Sequence, residues 1–197
     1  MEKTANRIAS FFIAQGAAEE DDRDIYVYGL TIGLSTAVNI LVTAVIGVIC
    51  GIPLKMLAYI LPYTALRLSA GGSHANSFWG CVSVSAVIQI TTALLILYTP
   101  ENLQAPAAAI LLAVTAALIF KFAPVEHPNR PISTPERAGF RLRARATILA
   151  EALVCLTLIL LQIRVYPFCI ALGAAVSGIL LLPGLSGRKS RYKGGES

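Results

Sequence analysis

Charge is scarce in this sequence. Only 14% of its 197 residues are charged. Between Ile25 and Phe120 the formally charged residues are Lys55, Arg67 and Glu101 alone, and from Ala146 to Gly187 they are Glu151 and Arg164 alone. A soluble domain carries about 25% charged residues, so the soluble globular class is excluded, and the disordered, collagen-like and disulfide-scaffold classes fall with it. The four cysteines, Cys50, Cys81, Cys155 and Cys169, form no CxxC pair, and the two histidines have no metal-like spacing. Neither a zinc site nor a disulfide framework is indicated, and no metal or cofactor is called for. All four thiols lie within or at the edge of apolar stretches, where most read as small core hydrophobes. The N-terminus lacks the basic segment and apolar core of a cleavable signal peptide, carrying instead Glu2, Glu19, Glu20, Asp21, Asp22 and Asp24. There is no internal repeat. The net charge of +5 comes from short basic clusters beside apolar runs, not from basic residues interleaved with aromatics. That pattern points to anionic lipid headgroups and away from nucleic acid.

What is present is apolar: 56% hydrophobic residues and a mean hydropathy of +0.70. The uncharged runs are several times the roughly 20 residues needed to cross a bilayer, so the chain must cross repeatedly. The sequence therefore predicts an all-α membrane protein forming a single integral membrane domain over 1–197. Residues 1–24 read as an amphipathic interfacial helix, with Ile8, Phe11, Phe12 and Ile13 on its apolar side. Residues 25–183 read as a six-helix core with spans at about Ile25 to Cys50, Leu54 to Ser69, Ser77 to Tyr98, Ala105 to Phe122, Ala146 to Ile163 and Tyr166 to Leu182. Lys121 to Arg145 is expected to be a long polar loop, and 184–197 a basic, disordered tail.

The distribution of Lys and Arg orients these spans. With the N-terminus in the cytoplasm, Lys3, Arg7, Arg23, Arg67, Lys121, Arg130, Arg137, Arg141, Arg143, Arg145, Arg188, Lys189, Arg191 and Lys193 all fall inside, and only Lys55 and Arg164 of the 16 fall outside. Such a split places both termini in the cytoplasm of a multi-pass protein.

Chemistry-bearing residues concentrate where the second and third spans meet, in Arg67, Ser69, Gly71, Gly72, Ser73, His74, Asn76 and Ser77, with Cys81 just beyond. On an unbroken helix His74 and Cys81 would share a face but stand about 10 Å apart along the axis, beyond the reach of a nucleophile and its base. Gly71 and Gly72 supply the freedom to break the helix into a Gly-broken active-site segment, so that His74 could fold back beside Cys81. A thiol next to an imidazolium and a helix N-terminus becomes a thiolate, with Ser73, Asn76 or Ser77 as caps. A packed thiol and a loop histidine fit the same spacing. Ser85 and Gln89 follow Cys81 at i+4 and i+8 on its helix face, and with Asn39 they suit either substrate contact or interhelical hydrogen bonding. Glu151 is a membrane-depth carboxylate whose shallow position suits an arginine partner or snorkelling.

These residues carry a resemblance. Arg67, the run Ala70-Gly71-Gly72-Ser73-His74-Ala75, Cys81 and Ser85 are similar to the signature segment of the accessory gene regulator B (AgrB) family, which pairs a GGxHA core with a cysteine seven residues after the histidine. The stretch from Lys121 to Ile132, with Pro124, Asn129, Arg130 and Pro131, resembles that family's second motif, with Phe122 where tyrosine is commoner and Arg130 where lysine is. The resemblance covers nearly the whole chain. It implies a membrane cysteine endopeptidase of Gram-positive quorum sensing, in the cell membrane and as a homodimer, that cleaves the acidic tail from an AgrD-like propeptide. Cys81 would be the nucleophile and His74 the base; the retained part becomes a thioester and closes to a thiolactone or lactone ring. Arg67 and Gly72 match positions associated with activity. The basic cluster Arg137, Arg141, Arg143 and Arg145 shares the cytoplasmic side and suits an acidic tail. The alternatives from other classes are a small transporter or channel, in which the broken hairpin forms a binding site, and a scaffolding membrane protein. A neighbouring short reading frame for an amphipathic leader, a cysteine or serine core and an acidic tail would discriminate in favour of the peptidase.

Overall fold

The computed structural model describes residues 2–16, 19–20, 23–71, 78–125 and 134–182. Among them the chain forms seven helices and no sheet: α1 (Glu2–Ala14), α2 (Arg23–Ile49), α3 (Pro53–Ala70), α4 (Phe78–Tyr98), α5 (Glu101–Phe122), α6 (Thr134–Leu160) and α7 (Val165–Ile179).

Local chemistry sets the boundaries. At the end of α2 the N–H of Gly51 donates to the Val48 carbonyl (3.1 Å) and that of Ile52 to the Gly47 carbonyl (2.8 Å). Gly51 occupies the left-handed region at φ +70°, as glycine does in this type of helix cap, and Pro53 then opens α3 with a preset φ. The α6–α7 turn repeats the pattern: Gln162 N–H donates to the Ile159 carbonyl (3.0 Å) and Ile163 N–H to the Leu158 carbonyl (2.9 Å). Here, however, the left-handed residue is Gln162, at φ +61°.

Two of the expected boundaries move. The N-terminal helix stops at Ala14 rather than continuing to Asp24, because Gly16 turns left-handed at φ +70° and its N–H closes on the Ile13 carbonyl (2.9 Å). The expected loop from Lys121 to Arg145 is helical from Thr134 onward. Thr134, Pro135 and Glu136 are a helix-start pattern, and the Ala, Arg and Leu that follow are strong helix formers, so lack of hydropathy did not mean lack of helix.

The bundle is centred on α3 and α7, which share the most extensive contact, with α5 and α6 packed around them and α2 bridging α3 to α4. The α7 face is made of small residues, including Ala171, Gly173, Ala174, Ala175 and Gly178, all buried. They allow the backbones to approach closely, as small residues do between membrane helices. A Cβ on Gly173 would collide with the Tyr59 carbonyl oxygen, and Ser177 Oγ donates to the Tyr63 carbonyl at 2.8 Å. Buried hydroxyls find backbone carbonyls one turn back: Thr43 on Asn39 (2.8 Å), Ser69 on Ala65 (2.9 Å) and Thr115 on Leu111 (2.7 Å).

The outside of the bundle is as apolar as its inside. Leu41, Ile110 and Leu153 are each 64% exposed and Val48 is 69% exposed, an arrangement that hydrocarbon solvates and water does not. This is a membrane protein. Gly29–Ile49 and Glu101–Phe122 are long and apolar enough to cross a bilayer, and Val82–Tyr98 and Val165–Ile179 are shorter apolar stretches. α1 lies against α2, burying Ala5 and Ala9 and leaving Phe11 and Phe12 outward.

Candidate functional site at the end of α3

The last turn of α3 is shaped by two of the residues singled out from the sequence. Arg67 Nη1 donates to the Gly71 carbonyl at 3.3 Å, a cation at the negative end of its helix. Gly71 ends α3 at φ +75°, ψ −150°, a conformation that side-chain-bearing residues rarely adopt. A Cβ there would also collide with the Val125 carbonyl oxygen. Val125 pairs with Gly71 in a parallel bridge, and its N–H donates to the Ala70 carbonyl at 3.0 Å. The segment carrying the first motif is thereby fastened to the segment carrying the second. Ala123 and Val125 are both buried, at 5% exposure, so this tie is shielded from competition with water. Ala70 and Val125 belong to the two motif stretches, but the contact between them was not legible in the sequence, because it is made by backbone atoms.

Beyond Gly71, residues 72–77 lie outside the described residues, and with them Gly72, Ser73, His74, Asn76 and Ser77. Cys81 is the fourth residue of α4 (Phe78–Tyr98); of Cys81 the backbone alone is described. The start of a helix carries a partial positive charge, a setting that favours a thiolate. Ser85 follows one turn on, half-buried. Gln89 follows after another and is buried. Its Nε2 reaches Asn39 on α2 at 3.4 Å, to both the backbone carbonyl and Oδ1, while its Oε1 has no partner. Gln89 thus ties α4 to α2, the interhelical use expected for such residues.

Glu151 on α6 is buried, and among the described residues neither carboxyl oxygen has a partner. Of the two uses expected for it, an arginine partner or snorkelling, pairing with Arg145 is not seen. Arg145 lies six residues away, about 240° around the helix and therefore on another face, where its Nη2 donates to the Phe120 carbonyl at 3.1 Å and its guanidinium covers the Phe120 ring at 5.0 Å. The rest of the basic cluster lies along the first turns of α6. Arg141 and Arg143 are exposed and Arg137 is half-buried, with Arg143 over the Phe140 ring at 5.9 Å. Cys155 and Cys169 are buried and Cys50 half-buried, all as free thiols, and Cys155 Sγ donates to the Pro167 carbonyl at 3.6 Å. Among the described residues no three candidate metal ligands come together.

Comparison with known proteins identifies a family for the chain. The sequence model of the family described as Accessory gene regulator B matches residues 5–181. An AgrB-like protein of Clostridium perfringens strain SM101 is 26% identical over 124 residues, covering 60% of this chain and 58% of that one. AgrB-like protein 2 of Clostridium perfringens strain 13 is 25% identical over the same coverage. The match thus spans under two thirds of these relatives' length. No solved structure matches significantly.

Proposed function

The chain belongs to the accessory gene regulator B family, and from that membership we propose that it is a membrane-embedded cysteine endopeptidase processing an AgrD-like quorum-sensing propeptide. In this reading the chain is one membrane domain of six spans with both termini in the cytoplasm of a Gram-positive cell, acting as a homodimer. The observation that supports it is the tie at the end of α3, where Gly71 pairs with Val125 and joins the two motif stretches; Cys81, in α4, follows His74 by seven residues in the sequence.

The chemistry follows from those parts. His74 takes the thiol proton of Cys81, and the sulfur attacks the scissile carbonyl carbon of the propeptide. The C–N bond breaks, the proton passes from His74 to the leaving amine, and the acidic tail departs. The remaining peptide is held as a thioester on Cys81. Its own cysteine thiol or serine hydroxyl then attacks the thioester carbonyl, releasing the Cys81 thiol and closing the ring. An intramolecular attacker held at the carbonyl has a high effective concentration, and a site that limits water lets it compete with hydrolysis. Arg67 serves here as a positioning residue for Gly71, and Ser85, Gln89 and Glu151 are assigned supporting or substrate-binding roles.

The experiment is co-expression with the candidate propeptide and mass spectrometry of the released tail. Replacing the peptide's ring-closing residue by alanine should leave a hydroxylamine-sensitive adduct on Cys81. Release of linear, tail-less peptide with no such adduct at any time would mean direct attack by water.

A further inference from the structure

The opposite end of the bundle holds a second polar feature that peptide processing does not use. α3 runs from Pro53 to Ala70, about 27 Å at 1.5 Å per residue, so its start lies a membrane thickness from Gly71. There the α2–α3, α4–α5 and α6–α7 connections meet around a cavity of about 470 Å³ lined by Lys55, Glu101, Gln104, Gln162 and Arg164. Its size falls within the range of small-molecule sites.

Three observations point to an occupant. First, Lys55 and Arg164, both cationic, face one cavity although they come from separate connections, and neither forms an ion pair among the described residues. Second, Gln104 is only 4% exposed. Its Nε2 is spent on the Thr99 carbonyl at 3.0 Å, which leaves Oε1 a buried acceptor without a partner among the described residues, a state natural proteins seldom leave uncompensated. Third, the wall includes Gln162 in the left-handed region at φ +61°, where the equivalent cap of α2 uses glycine. Backbone strain of this kind is kept where a side chain is wanted.

The set is two cations with two acceptors, Gln104 Oε1 and the Glu101 carboxylate. Its complement is a phosphate ester that also carries hydroxyl donors. The sequence neighbours of the lining residues include exposed apolar side chains, Leu54 at 65%, Leu103 at 51% and Leu161 at 64%, against which acyl chains could lie while a headgroup enters. We propose that this cavity binds the phosphoglycerol headgroup of an anionic phospholipid, with Lys55 and Arg164 on the phosphate and Gln104 and Glu101 accepting from the glycerol hydroxyls. The site is independent of the peptidase reading, since it contains none of the residues assigned to processing.

The test uses the purified full chain in detergent micelles, titrated with phosphatidylglycerol and read by native mass spectrometry. Lys55→Gln/Arg164→Gln should weaken lipid retention roughly tenfold or more, while Lys55→Arg/Arg164→Lys, which keeps both charges, should stay within about threefold. Phosphatidylcholine, whose headgroup offers no hydroxyl donor, should bind the unmodified protein roughly tenfold more weakly. Equal retention of phosphatidylglycerol by the uncharged variant would overturn the proposal. So would equal binding of the two lipids by the unmodified protein, a comparison that stands even if the variant fails to fold. Displacement of the lipid by millimolar glycerol 3-phosphate would identify a soluble ester as the occupant and overturn the lipid assignment.

Discussion

The backbone N–H of Val125 donates to the carbonyl of Ala70 at 3.0 Å, fastening the chain that leaves α5 to the last turn of α3. Buried backbone hydrogen bonds of this kind are costly to leave unmade. The tie fixes the backbone at Gly71, the last described residue before the stretch that holds His74.

Gly71→Ala should break this arrangement. The substitution meets a positive φ and the Val125 carbonyl oxygen at once, and the backbone effect alone costs about 1 kcal/mol or more. Propeptide cleavage should fall about tenfold or more, since a displacement near 1 Å at a reacting group is enough for such a loss. Gly29→Ala is the control: it sits within α2 with open space around its Cβ position and should leave cleavage unchanged. Equal activity of the two variants would remove the tie from the mechanism.

Cys81→Ala and His74→Ala should each abolish tail release in protein that still inserts, because loss of either member of a nucleophile and base unit costs nearly the whole rate. Substituting Cys50, Cys155 and Cys169 together by alanine should preserve cleavage while lowering thermal stability, since Cys155 and Cys169 are packed in the core. Full cleavage by Cys81→Ala would sink the assignment.

The apolar helices were legible in the sequence because hydropathy over about 20 residues is a strong signal; α2 and α3 begin and end within a few residues of where the runs of uncharged residues place them. The start of α6 was not, because Arg137, Arg141, Arg143 and Arg145 suppress hydropathy while leaving helix propensity intact. The candidate site was legible as residue types and spacing around Gly71. The pairing of Ala70 with Val125 was not: it joins backbone atoms of segments 55 residues apart, and backbone groups leave no trace in side-chain identity. That Arg145 does not face Glu151 was not legible either, because their six-residue spacing becomes a helical angle of about 240° only once the helix is known to be unbroken between them.

That unpartnered carboxyl gives a stability prediction. A buried ionisable group with no hydrogen bond costs free energy that an apolar side chain of similar size does not. Glu151→Leu should therefore raise Tm by a few degrees, about 2–4 °C for each kcal/mol recovered in a chain of this length. A lower Tm in a thermal scan would mean that the carboxyl has a partner the fold depends on, and loss of cleavage in a stabilised variant would place it in the reaction.

Gln162 should behave in the same direction. At φ +61° a residue with a Cβ costs about 1 kcal/mol relative to glycine, so Gln162→Gly should be at least as stable as the unmodified protein. It should also leave propeptide cleavage intact, because Gln162 lies at the end of the bundle away from Gly71. A large fall in Tm would show that the Gln162 side chain, and not the backbone, holds the α6–α7 turn.

The basic cluster on α6 divides by environment, and the division makes recognition testable. Arg145 is bound to the Phe120 carbonyl and ring, so its replacement should loosen the contact between α5 and α6 and act through stability. Arg141 and Arg143 are exposed and available to an acidic peptide tail. Exposed charge pairs contribute roughly 0.2 to 1 kcal/mol each and weaken with salt, so Arg141→Glu/Arg143→Glu should raise KM for an acidic-tailed propeptide several-fold and leave kcat nearly unchanged. The same variant should have little effect on a propeptide whose tail acids are made neutral, and the difference should shrink as salt is raised. Arginines beside a membrane helix also orient it. Equal effects on both propeptides, or an inverted topology by cysteine labelling, would assign Arg141 and Arg143 to orientation alone.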